Sequence, residues 1–307
     1  MLAESLHLAT GTKEPFRKNR TITGDLGSGK STVAGLLAKR LEMDVVETGE
    51  LYRKYAEQKR IDVLQQNASD DWSIDEKIDS TIKQMGEEKD GIIFVSRLAW
   101  YFVPDVIKVY LIINPILAAE RIFKAKGRVG ESHHSVEEVV EYNRKRKELE
   151  LSRYSEMYGI ADARGYDEAD IIVVVGNNSP EDVASCIYAA IMNKEYGFYI
   201  DPRVLIPTQY ICDFNTYTLN NSRSKHKPAL ISTAGIDISR CNDVYVLMDG
   251  LPDVVACILN GVNFILTDRP YYEDVILNME YVNRYEDRVS IDLSREVKTF
   301  QTSVVND

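Results

Sequence analysis

The densest chemistry in this 307-residue chain lies in nine consecutive residues, Gly24-Asp25-Leu26-Gly27-Ser28-Gly29-Lys30-Ser31-Thr32. They fit the phosphate-binding pattern G-x-x-x-x-G-K-S/T at each fixed position. Glycines at 24, 27 and 29 let the backbone curl so that successive N–H groups face one anion, and a helix starting there adds its positive N-terminal end. A nucleoside triphosphate such as ATP suits that nest. Lys30 reaches the β- and γ-phosphates as a point charge, and the Ser31 hydroxyl is the expected ligand of a magnesium ion that bridges them. Asp25, Ser28 and Thr32 complete the set expected to surround the phosphates.

Further polar groups stand where buried strands end. Thr48-Gly49 follows the run Met43 to Glu47 and leads on to Arg53, while Ser96-Arg97 follows the unbroken apolar run Ile92-Ile93-Phe94-Val95. In an open α/β sheet, ligands gather beyond such strand ends. A charge placed like Arg97, directly after a buried strand, is costly unless something uses it.

The elements that position these groups follow from periodicity. Arg20 to Thr23 is a β-like run before the loop, and Val33, Leu36, Leu37 and Leu41 mark one face of the helix after it. A second helix carries Ile74, Ile78, Ile82 and Met85 on one face, ahead of Gly91 and the 92–95 strand. Val109 to Ile113 is a buried strand. Asn114 caps the next helix, Pro115 opens it and Gly127 ends it. Ser135-x-x-Glu138 is a capping box that opens a long charged helix to about Tyr158, on which Arg146, Glu150 and Arg153 share a face. Ile171 to Val175 is a further buried strand, and Ser179-Pro180 starts a helix to about Lys194. This alternation predicts an α/β fold with a parallel sheet flanked by helices on both sides. From Tyr196 the texture changes to short β-like runs (Val204 to Ile206, Ala229 to Ser232, Val244 to Met248, Asn263 to Thr267) and one helix, Asp253 to Asn260. Three parts are expected: an extension over residues 1–19, a nucleotide-binding domain over 20–194 and a smaller α+β domain over 195–307.

Composition narrows the function. A formal net charge of −11 argues against general affinity for nucleic-acid backbones or anionic membranes, whereas a phosphorylated small molecule needs only a local basic patch. The four cysteines have no C-x-x-C spacing and no charged-then-apolar leader opens the chain, which points to the cytoplasm. No apolar run approaches the ~20 residues of a membrane helix. The histidines have no metal-ligand spacing, and His133-His134 reads as solvated loop. Nothing in the sequence speaks to oligomeric state.

Residues 20 to about 194 resemble the nucleoside monophosphate kinases, and among them the cytidylate kinase-like branch in its compact archaeal type. The resemblance rests on the loop Gly24 to Thr32, on Thr48-Gly49-Glu50-Leu51-Tyr52-Arg53, and on Ser96-Arg97-Leu98-Ala99. It extends through Glu120-Arg121-Ile122 with its basic loop, Arg146, Arg153-Tyr154 and Tyr158-Gly159-Ile160. It implies a phosphate-loop kinase fold, with Thr48, Gly49, Arg53, Ser96 and Arg97 around an acceptor nucleotide. It also implies that Lys30, Arg121, Arg128, Arg146 and Arg153 act on the transferring phosphoryl group, the last four in or beside a lid. Arginines suit that task, because phosphoryl transfer asks the protein for positioning and charge neutralisation rather than covalent help. Two departures stand out. Ser96 replaces the glycine usual before the arginine, and it stands where many phosphate-loop enzymes end a strand with an acidic residue that organises magnesium, so that Asp25 or water would complete the metal shell. More weakly, residues from about 200 to 290 resemble the ParB/sulfiredoxin-like fold, through Val244-Tyr245-Val246-Leu247-Met248-Asp249-Gly250 and Asn260-Gly261-Val262, without that family's phosphate-contacting residues.

The expected activity is therefore ATP-dependent phosphoryl transfer to a nucleoside monophosphate, a pyrimidine such as CMP or dCMP. Two alternatives compete: transfer to a modified nucleotide or another small hydroxyl compound, and an ATP-binding switch with vestigial catalysis.

Overall fold

The computed structural model describes residues 18–49, 52, 72–125, 134–160, 164–207, 230–232, 236–241 and 244–272. Strands and helices alternate through β1 (Arg20–Gly24), α1 (Lys30–Leu41), β2 (Asp44–Glu47), α2 (Ser73–Glu88), β3 (Ile92–Val95), α3 (Ala99–Phe102) and β4 (Ile107–Ile112). They continue through α4 (Pro115–Lys124), α5 (Val136–Tyr158), β5 (Ile171–Val174), α6 (Pro180–Asn193) and β6 (Gly197–Ile200). A 3-10 turn (Pro202–Val204) then leads to β7 (Leu205–Pro207), β8 (Leu230–Ser232), β9 (Asp237–Cys241), β10 (Val244–Asp249), α7 (Leu251–Leu259), β11 (Phe264–Thr267) and β12 (Tyr271–Tyr272).

The punctuation works as its chemistry suggests. Asn114 accepts hydrogen bonds from the Ile116 and Leu117 N–H groups, at 2.9 and 3.3 Å, at the start of α4. Ser135 accepts from the Glu138 N–H at the start of α5, while the Glu138 carboxylate takes the N–H of His134 rather than that of Ser135. Gly159 closes α5 in the left-handed conformation, with φ 67°. The α4 stop expected at Gly127 lies outside the described residues; α4 itself ends at Lys124.

Eight strands form one sheet in the order β2-β3-β1-β4-β5-β6-β11-β8, and four form a second in the order β12-β9-β10-β7. From β2 to β6 every pairing is parallel, and β11 joins β6 antiparallel. The strands on either side of β1 are β3 and β4, and the connections from β1 to β2 and from β3 to β4 run in opposite directions along the sheet, so a crevice opens above the carboxyl end of β1. The sheet is continuous past residues 194 and 195, where two domains are expected to meet, because β6 pairs with β5 over four residues.

The strands β3 and β5 are apolar and buried throughout, as a sandwiched parallel sheet requires. One face sends Ile22, Ile93, Val109, Leu111, Ile171, Val173 and Tyr199 into a core shared with Val33 and Leu37 of α1 and Val183 and Ile187 of α6. On the other face, Ile92 and Phe94 meet Ile82 of α2, whereas Tyr110, Ile112, Ile172, Val174 and Phe198 pack on Leu205, Val246 and Leu247 of the second sheet and Val254 of α7. Among the described residues no helix is long and apolar enough to cross a membrane.

Candidate active site

The phosphate loop hangs on contacts that only glycine permits. Gly24 has φ 132°, and a Cβ there would stand 2.1 Å from the Leu111 carbonyl oxygen on β4. Gly29 caps α1 with φ 87° and offers no side chain to the first turn, whose N–H groups therefore face the crevice. Lys30 Nζ donates to the Gly24 and Asp25 carbonyls of its own loop, at 2.9 and 2.6 Å. Burial is the main reason that its pKa is pulled down, to about 8, with Asp25 acting in the opposite sense. The buried Ser28 hydroxyl donates to the Asp25 carbonyl at 2.8 Å and so braces the loop. Ser31 and Thr32 are exposed at the mouth.

Asp25 ties the loop to its surroundings. Its carboxylate accepts from the Tyr110 hydroxyl at 3.4 Å, the Ile113 N–H at 3.3 Å and the Lys147 ammonium at 3.1 Å. Residues from β4 and α5 thus hold a group that the sequence offers as a metal ligand. Among the described residues no cluster of three or more His, Cys, Asp or Glu is arranged to hold a metal ion.

The crevice is a cavity of about 540 Å³ that runs from the loop to the ends of β2 and β3 on one side and of β4 and β5 on the other. Thr48, Gly49, Ser96 and Arg97 all line it. The Arg97 guanidinium lies 2.8 Å from Glu150 Oε1, donates to the Tyr154 hydroxyl at 3.4 Å, and sits 5.5 Å from the centre of the Tyr52 ring. Burial works against its charge, but Glu150 and the two tyrosines outweigh burial and hold it protonated above the ordinary arginine range. Arg146 also lines the cavity and donates Nε to the same Glu150 oxygen at 2.8 Å, so one carboxylate aligns two guanidinium groups.

Two expected phosphoryl-contacting arginines are placed elsewhere. Arg121 donates to the Gly176 carbonyl at 2.8 Å and is not part of the cavity wall. Arg153, only 4% exposed, forks onto Asp75 Oδ2 of α2 at 2.6 and 3.1 Å. It joins α5 to α2 instead of facing the loop. Arg53, Arg128 and most of the expected lid lie outside the described residues.

The structure adds residues that sequence reasoning did not select. Asp75 and Asp79, one turn apart on the inner face of α2, line the cavity, and Asp79 accepts from the Tyr158 hydroxyl at 2.8 Å. Desolvation raises the Asp79 pKa to about 7. Two carboxylates spaced among Ile78 and Ile82 on a buried stripe are a signal that the sequence does carry. Lys147 lies on the same helix as Arg146, whereas Arg240 and Tyr245 reach the cavity from the second sheet and have no local signature.

The site combines a phosphate nest, a half-buried lysine, aligned guanidinium groups and a floor of Thr48, Tyr52 and Asp79. Such an arrangement can hold two anions in line and neutralise charge between them. A family model described as an AAA domain matches residues 21–142. The cytidylate kinase of Archaeoglobus fulgidus is 31% identical over 178 residues, which are 57% of this chain and 95% of that protein. That of Methanothermobacter thermautotrophicus is 32% identical over 155 residues, 50% of this chain and 92% of its own, and that of Sulfolobus acidocaldarius 30% over 177 residues, 56% and 93%. With its phosphate loop, its Arg97–Glu150–Arg146 cluster and near full-length matches of this kind, the chain belongs to the cytidylate kinase family of nucleoside monophosphate kinases.

Proposed function

We propose that the protein transfers the γ-phosphoryl group of ATP to a pyrimidine nucleoside monophosphate, CMP or dCMP. The observation that carries this reading is the match over more than nine-tenths of several cytidylate kinases, joined to a cavity that places a phosphate nest opposite the Arg97 floor. An oxygen of the acceptor phosphate attacks the γ-phosphorus, the bond to the β,γ-bridging oxygen breaks, and ADP leaves with that oxygen's charge. The loop N–H groups, Lys30 and Thr32 hold the donor phosphates. Arg97, fixed by Glu150 and Tyr154, binds the acceptor phosphate, with Thr48, Gly49 and Ser96 around it. Arg146 faces the charge that develops between the two. Arg53 and Arg128 keep their acceptor and lid assignments as part of this proposal.

Magnesium fits the donor set through the exposed Ser31 hydroxyl, nucleotide phosphates and water, a combination that this small, hydrated cation commonly accepts. When bound, it would supply neutralisation of the phosphates' charge. The division into an extension (1–19), a kinase part (20–194) and a C-terminal α+β part (195–307) belongs to the same proposal.

The test is ADP release with CMP, dCMP, UMP, AMP and GMP as acceptors. Fast turnover confined to CMP or dCMP is expected. Turnover on none of them, with ATP still bound, would replace the kinase with a nucleotide-binding protein.

A further inference from the structure

Part of the cavity wall comes from the second sheet. The match to the Archaeoglobus fulgidus enzyme takes in 95% of that protein but only 57% of this chain, and Val204, Arg240 and Tyr245 line the same cavity as Gly24, Asp25 and Lys30. Arg240 and Tyr245 face each other in register across the antiparallel β9–β10 pair. The guanidinium carbon lies 5.6 Å from the centre of the Tyr245 ring, and a flat cation on an aromatic face is held in one orientation at little entropic cost. Tyr245 is itself buried and packs 5.7 Å from the Phe198 ring on β6, so the platform is fixed to the large sheet.

The charge around this platform defines what it can bind. Lys30, Arg97, Arg146 and Lys147 already line the cleft. Of the five carboxylates in its wall, Glu150, Asp75 and Asp25 are engaged by the Arg97–Arg146 pair, by Arg153 and by Lys147, Asp79 accepts from the Tyr158 hydroxyl, and Glu47 stands at the end of β2, so the cationic side chains outnumber them. A further guanidinium brought into such a cleft raises its positive potential, and the ligand that suits that potential is a multiply charged anion. We propose that Arg240 is a phosphate-binding residue, contacting the phosphates of a bound nucleotide from a wall that the C-terminal segment adds to the kinase site. This rests on the nucleotide-kinase reading and extends it to a residue of the second sheet.

The experiment uses the full chain with Arg240→Gln, and compares equilibrium binding of ATP and of CMP by calorimetry alongside turnover, with the thermal midpoint as a check on folding. Arg240→Gln is expected to weaken ATP or CMP about tenfold, the scale of one charge-assisted contact. Arg240→Lys is expected to recover part of the loss. The nucleotide that weakens identifies whose phosphates Arg240 touches. Wild-type affinity for both nucleotides in the folded variant overturns the proposal. If Arg240→Gln does not fold, Arg240→Met, whose stem keeps its packing on Tyr245, carries the same expectation and the same overturning result. Failure of the wild type to turn over any acceptor while binding ATP defeats the kinase reading alone, since the Arg240 comparison is made at equilibrium.

Discussion

Lys30 and Asp79 are both titratable groups held away from water, and each leads to a test. Lys30 donates to two carbonyls of its own loop and contributes no apolar surface to the core. Lys30→Ala should therefore lower transfer roughly a hundredfold or more while leaving the urea midpoint nearly unchanged. Wild-type turnover in that variant would remove the lysine from the mechanism. Asp79 titrates near 7 in the folded protein, mainly because it is desolvated, against an ordinary value of 3.8. Between those values the folded state keeps a proton that the unfolded chain releases, so stability falls as pH rises from about 4 to about 7 and then levels off. Asp79→Asn lacks that decline. Urea unfolding at pH 4 and pH 8 should show the wild type losing on the order of 3 kcal/mol relative to the variant; parallel pH profiles would refute the shift. The phosphate loop could be read from the sequence because its residues are contiguous and each fixed position has one physical reason. Arg97 was legible as a charge after a buried strand. The redeployment of Arg121 onto the Gly176 carbonyl was not, because that partner is 55 residues away and is a backbone atom with no identity in the sequence.

At the scale of elements, α5 is the member that joins the two sides of the crevice. Its Glu150, which also holds Arg146, reaches Arg97 beyond β3, its Lys147 reaches Asp25 in the loop, and its Arg153 and Tyr158 reach Asp75 and Asp79 on α2. The Arg153–Asp75 pair is buried on both sides, so Arg153→Met leaves a buried carboxylate without this partner and should cost about 3–5 kcal/mol in chemical unfolding. Adding Asp75→Leu should restore most of that loss, since two apolar groups replace the pair. A double variant as unstable as the single one would show that Asp75 is not what Arg153 satisfies. Helical periodicity showed that Arg146, Glu150 and Arg153 share a face, but not what faces them, since Asp75 is 78 residues distant. The helices and the apolar strands β3 to β5 were similarly plain. By contrast, β9, Asp-Ile-Ser-Arg-Cys, is a strand because β10 and β12 pair with it on either side, and nothing local announces it. Gly197–Ile200 likewise becomes β6 through its neighbours β5 and β11.

For the whole molecule, the decisive contact is the core in which Tyr110, Ile112, Ile172 and Val174 of the kinase sheet meet Leu205, Val246, Leu247 and Val254. A chain ending at Lys194 would expose that face to water, at about 25 cal/mol for each Å² of apolar surface. It should aggregate or unfold at low denaturant, while the full chain unfolds in a single transition by fluorescence and circular dichroism alike. Two separate transitions in the full chain, with a soluble and folded shorter chain, would show two independent units instead. The shared core also sets an order of events at the ribosome. The strands β1 to β5 can pair once residue 174 has emerged, but the partners of their inner face are encoded up to Ile265. At about 5–20 residues per second, the nascent sheet waits on the order of ten seconds with an apolar face uncovered. During that interval it is a client for a holding chaperone, and closing the β6–β11 pair across so long a loop is the step expected to limit the rate of maturation.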